Sequence, residues 1–185
     1  INAQWGAFSY GDIDIGGNKV KCAASGGLAG DNVISFLSPF PNTNYSILAN
    51  SADDTDSPAI NFVGGSKQVG QATIRIEDDG GATEAVSGTS YCAFSHGQYL
   101  VGGANVKAGS SVTTGIGNTI VTFTTPFPNA NYTVLAMAQA TNGTLCSPEI
   151  GAKLTTSFTI RFEEDAGVDC GGSKPFDWVA ITTGE

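Results

Sequence analysis

Basic charge, methionine and histidine are all scarce in this sequence. Eight Lys plus Arg stand against 17 Asp plus Glu, for a formal net charge of −9. A surface that tracks nucleic-acid phosphates needs a basic stripe, and eight positive residues spread along the chain do not make one. No apolar run reaches the roughly 18–20 residues of a membrane-spanning helix, so membrane insertion is not expected. No useful stretch has the 3.6-residue apolar period of an amphipathic helix. The one histidine, His96, is too few for a histidine-based zinc site. It could join a Ser-His-Asp triad only with partners remote in sequence, and it reads as a surface or edge histidine. Four cysteines are too few for a disulfide scaffold and allow three pairings. The chain starts at Ile1 rather than Met and is expected to be processed or a piece of a longer protein.

What is present points to strands and tight turns. Glycine is abundant (25 residues), and Thr, Ser, Val, Ile and Phe are plentiful, which is an all-β composition. The clearest feature is a phrase said twice. "PFPNTNYSILA" at 39–49 returns as "PFPNANYTVLA" at 126–136. The repeat extends on both sides: "GGNKVK" (16–21) with "GGANVK" (102–107), "DSPAI" (56–60) with "CSPEI" (146–150), "ATIRIEDD" (72–79) with "FTIRFEED" (158–165), and "SYCAFSHG" (90–97) with "DWVAITTG" (177–184). This predicts two tandem units, 1–98 and 99–185. Each is a small antiparallel β-sandwich of about six strands; in the first they fall near 18–24, 32–38, 45–50, 59–63, 72–77 and 90–95. Alternation supports the strands: Ile74 and Ile76 face one way while Thr73, Arg75 and Glu77 face the other, and Ile160 and Phe162 repeat the pattern.

The repeated phrase reads as a corner. Pro39 and Pro41 lack a backbone donor and push the preceding residue toward extended geometry, which stops a strand. Phe40 between them can plug the sandwich end. Asn42 and Asn44 suit the turn, and Tyr45 starts the next strand.

These residues carry a resemblance. The sequence resembles C-terminal domains of bacteriophage tail fibres, the receptor-binding tips. The shared elements are the opening "QWG" (Gln4, Trp5, Gly6), "PFPN" followed by Tyr and an apolar strand, "TSFTI" at 156–160, and the near-terminal aromatic strand Trp178-Val179-Ala180-Ile181. The resemblance implies a small lectin-like sandwich, often trimeric, carried on a virion or otherwise outside the cell. It implies a non-catalytic role in attachment to a bacterial surface receptor, a glycan or a protein. Trp5, Tyr10 and Asn142 are the candidate ligand contacts. Asn142 belongs to the one sequon that lies in a divergent segment rather than in the repeated corner. The tandem arrangement also suits a coat, decoration or filament subunit that self-associates through strand edges.

Carboxylates cluster in "SADDTDSP" (51–58), "EDDGG" (77–81) and "EEDAGVD" (163–169). Paired carboxylates serve glycosidases, but these sit among glycines without aromatic platforms and read as solvated turns. If strands alternate up and down, the turns after the third and fifth strands share one end. Asp53, Asp54, Asp56, Asp78 and Asp79 then gather there as candidate calcium ligands; no other cofactor is expected. In the second unit the same turns carry Cys146 and Cys170, which parity places within disulfide reach. A bridge closing about 24 residues would contribute on the order of 3 kcal/mol. Cys22 and Cys92 lie within strands and read as two buried thiols, or as a second pair if their strands are neighbours.

Overall fold

The computed structural model describes residues 10–27, 29–51, 59–78, 82–140, 146–164 and 168–182. The chain is all-β, with fourteen strands and no helix among the described residues. In order these are β1 (Gly11–Ile15), β2 (Asn18–Gly27), β3 (Gly30–Ser35), β4 (Tyr45–Ser51), β5 (Ala59–Val63), β6 (Gln71–Glu77), β7 (Val86–Ser95), β8 (Gly97–Val101), β9 (Ala104–Val112), β10 (Thr119–Thr122), β11 (Tyr132–Ala140), β12 (Ser147–Leu154), β13 (Ser157–Glu163) and β14 (Pro175–Thr182).

The strand order repeats. The first seven strands form β1-β2-β7-β4 and β3-β6-β5; the last seven form β8-β9-β14-β11 and β10-β13-β12. A short parallel contact joins the two sets. Gln139 pairs with Phe62 and Ala140 with Val63, so β3-β6-β5 continues through β11 into one seven-stranded sheet. Registers match as well. Tyr45 faces Ser95 across β4 and β7, as Tyr132 faces Thr182 across β11 and β14.

There are thus seven strands per set rather than about six. The two strands that the composition hides, β1 and β8, are hairpin partners of β2 and β9. Their turns are Gly16-Gly17 (φ 57° and 87°) and Gly102-Gly103 (φ 55° and 90°). Positive φ at both central residues gives the turn that matches strand twist, and only glycine adopts it freely. The boundary expected near residue 98 falls inside β8; the chain passes from one set to the other at His96. One sequence match is also displaced. Ile60 faces Ile76, whereas Ile150 faces Ile160, the counterpart of Ile74. Ile150 therefore occupies the place of Phe62. A slip of two residues preserves which face is buried, so the pattern tolerates it.

Three apolar clusters hold the sheets. Ile34, Phe40, Tyr45, Ile47, Ile74 and Ala93 lie inside the first set. Phe123, Phe127, Tyr132, Val134, Phe158, Ile160 and Trp178 lie inside the second. The third cluster lies between the sets. Val20, Cys22 and Phe94 meet Tyr99, Val106, Ala108 and Val179, all from the outward faces of β1-β2-β7-β4 and β8-β9-β14-β11. Alternate residues of β4, β7 and β14 thus serve two cores, which is why these strands are apolar on both sides.

The corners are built alike. Phe40 stacks on Tyr45 with ring centroids 4.4 Å apart, and Phe127 on Tyr132 at 4.6 Å. Tyr45 Oη donates to the carbonyls of Gln68 (2.8 Å) and Gln71 (2.9 Å). Tyr132 Oη does the same with Leu154 (2.8 Å) and Ser157 (2.7 Å). Burial raises both phenols well above the ordinary range, Tyr132 to about 12. Asn42 and Asn129 each accept the backbone N–H two residues on, at 2.8 Å. Phe127 is only 3% exposed. Phe127→Ala is expected to cost about 3–5 kcal/mol in a denaturant titration; a loss under about 1 kcal/mol would place the ring outside the core.

Candidate functional site

The two strand sets meet around one carboxylate. Asp177 in β14 is fully buried (0% exposed). Its Oδ2 accepts the backbone N–H of Ile47 at 2.7 Å. Its Oδ1 accepts from Lys67 Nζ at 2.7 Å and from Ser110 Oγ at 2.6 Å. Lys67 also donates to the carbonyl of Tyr45 (2.8 Å), the first residue of β4. Beside this cluster, Ser46 Oγ shares its proton between the carbonyls of Gly109 (2.8 Å) and Trp178 (3.1 Å). A buried charge persists only when its lone pairs are met by donors, and here two of the three donors come from the other strand set. A groove of about 350 Å³ opens here, lined by Thr43, Phe62, Lys67, Ser110, Gln139 and Asp177 among others.

His96 is half-buried at this junction rather than on an outer edge. Its backbone N–H donates to the Asn44 carbonyl at 2.9 Å, and its Nε2 lies 3.2 Å from Ser110 Oγ. Burial lowers its pKa, with the nearby Asp177 charge opposing that shift. The structure therefore collects a serine, a histidine and an aspartate from distant places in the sequence. Their order differs from that of a triad. In a triad the histidine lies between the serine and the carboxylate; here Ser110 lies between His96 and Asp177. The Ser110 proton is held by a carboxylate already fixed by Ile47 and Lys67, so the cluster acts as a clamp.

The remaining sequence candidates are dispersed. Tyr10 is exposed, and its hydroxyl lies 3.1 Å from Ser90 Oγ. Trp5, Asn142, Asp53, Asp54, Asp56 and Asp79 lie outside the described residues. Asp78 caps a turn: its Oδ1 accepts from Ala82 N at 2.7 Å, and its own N–H donates to the Ala82 carbonyl at 2.8 Å. No group of three or more metal-ligating side chains forms among the described residues. All four cysteines are bridged. Cys22 and Cys92 face each other across β2 and β7 and form a disulfide, not two packed thiols. Cys146 and Cys170 are bridged with Cα atoms 6.0 Å apart.

Sequence reasoning missed Asp177. Its signal was visible: a carboxylate inside the apolar strand "DWVAI", where the first unit has Ser90. Its partners Ile47 and Lys67 are 130 and 110 residues away, so no local pattern links them. Asp177→Ala should strand the Lys67 ammonium and cost about 3–5 kcal/mol in equilibrium unfolding. A cost below about 1 kcal/mol would mean that the clamp contributes little.

Residues 102–182 match the model of a family described as "Putative tail fiber protein gp53-like, C-terminal". That span covers β9 to β14 and the corner Phe127–Tyr132 and stops short of the first strand set. No curated protein and no solved structure matches the chain.

Proposed function

We propose that this chain is a non-catalytic receptor-binding domain of a phage tail fibre, made of two tandem copies of one β-sandwich and attaching to a bacterial surface glycan or protein. The observation that carries the reading is the family match over 102–182. The shared strand order and duplicated corner extend it to the first set by analogy. The architecture suits the role. Rigid cores and two disulfides anchor divergent connecting segments, and binding normally resides in such segments on a rigid scaffold. On this reading the domain acts outside the cell on a virion, where disulfides persist, and copies of the chain associate with one another.

One observation favours a second reading, a self-assembling coat or filament subunit. β3 and β10 are both sheet edges, and both expose an apolar side chain at the matching place, Val33 (58%) and Ile120 (66%). Exposed apolar edges invite strand pairing between chains.

Labelled protein incubated with a panel of bacterial strains separates the two. Attachment predicts saturable binding to some strains. Exchanging residues 52–57 and 141–145 for Gly-Ser segments should abolish it. No binding to any strain, together with ordered polymers in electron micrographs, would transfer the case to the second reading.

A further inference from the structure

The two corners differ at one charged position. In the first set, Lys21 is buried and donates to Asp12 Oδ2 and to Ser38 Oγ (2.7 Å), and Ser38 Oγ in turn donates to Asp12 Oδ2 (2.7 Å). An ammonium, a hydroxyl and a carboxylate close the corner. In the second set, Lys107 is equally buried, at 4% exposed. Register places Gln98 opposite Lys107 as Asp12 is placed opposite Lys21. Thr125 stands where Ser38 stands, one residue before the "PFPN" phrase. Lys107 Nζ donates to Gln98 Oε1 and to the Thr125 carbonyl (2.7 Å), and it lies 4.6 Å from the centre of the Phe127 ring. Among the described residues it forms no ion pair. Burial lowers its pKa, and no acidic neighbour offsets that.

This corner is also open. A groove of about 400 Å³ runs past Gln98, Lys107, Thr122, Phe123, Thr124 and Trp178, a volume in the range of small-molecule sites. Gln98, Thr122 and Thr124 are exposed, so the side chain covering the ammonium is displaceable and hydroxyls line the wall. Trp178 is 9% exposed, and its indole Nε1–H has no partner among the described residues. The counterpart of Trp178 in the first set, Tyr91, spends its hydroxyl on the Ser35 carbonyl at 3.2 Å. The second corner thus keeps an ammonium without a carboxylate and an indole donor without an acceptor, in a protein of net charge −9.

We infer that this groove binds the carboxylate of an acidic sugar, such as a uronic acid in a surface polysaccharide, with Lys107 as the anchor and Asp12 of the first set marking where the ligand carboxylate sits. The ligand carboxylate displaces Gln98 and accepts from Lys107 Nζ and the Thr125 hydroxyl. The sugar hydroxyls meet Thr122 and Thr124. The inference rests on the attachment reading for its biological setting, but the groove is testable without cells.

Calorimetry on the intact protein with a glucuronic-acid disaccharide, its carboxyl-reduced counterpart and N-acetylglutamate decides it. The uronate should bind at least tenfold more tightly than either of the others. Gln98→Asp, which installs the internal carboxylate of the first set, should weaken uronate binding at least tenfold. Gln98→Ala, which uncovers the ammonium, should keep or strengthen it; thermal melts confirm that both variants fold. No uronate binding, equal binding of the reduced sugar, or indifference to Gln98→Asp overturns the inference, and equal binding of N-acetylglutamate overturns the sugar assignment. Cells that bind Gln98→Asp as well as the parent protein sink the groove as the site of attachment and leave attachment standing. Uronate binding without attachment to any cell does the reverse.

Discussion

A fully buried carboxylate sets the terms for the rest of the molecule. Asp177 sits between two sheets where water cannot solvate it, so its oxygens must be met by fixed donors. Those donors are a backbone N–H in β4, the Lys67 ammonium and the Ser110 hydroxyl. Lys67 holds Asp177 and the first carbonyl of β4 at the same time. The position of β4 against β14 therefore fixes the outward faces of both four-stranded groups, and with them the apolar cluster of Val20, Phe94, Val106 and Val179. The parallel contact of Phe62 and Val63 with Gln139 and Ala140 lies along the same junction.

The two strand sets share their strand order and their corners and differ in how those corners are closed. Stacked Phe and Tyr, the doubly bonded tyrosine hydroxyl and a lysine on the tyrosine carbonyl occur in both corners. These satisfy local needs: strand ends must plug a core and satisfy buried carbonyls. The differences lie where one set meets something the other does not. Lys67 has Asp177, whereas its counterpart Lys153 donates only to the Tyr132 carbonyl (2.7 Å) and faces no carboxylate among the described residues. Cys22 and Cys92 bridge β2 and β7 where Ala108 and Val179 pack as plain apolar residues. Gln98 replaces Asp12 beside the lysine of the open corner.

Much of this was legible because it is local or periodic. The all-β class follows from composition and alternation; Ile74 and Ile76 are fully buried, as their period of two predicts. The corner was readable from its prolines and asparagines. β1 was not recognised because "GDIDI" carries two aspartates and a glycine, residues that strands disfavour, although Ile13 and Ile15 alternate properly and pack between the sets. β8 was hidden by the unit boundary laid across it. The register of β12 could not be read, because a two-residue slip leaves the hydrophobic pattern intact. The junction was illegible for a different reason. Asp177, Ile47, Lys67, Ser110 and His96 are joined only by the packing of one strand set on the other, and no spacing in the sequence encodes that.

The central claim is that the buried clamp and the shared apolar cluster make the two strand sets one cooperative body. Urea unfolding of the intact chain, followed in parallel by tryptophan fluorescence and far-ultraviolet circular dichroism, tests it most directly. The account predicts a single transition with coincident midpoints for both probes. Two separated transitions, with the second set outlasting the first, would contradict it.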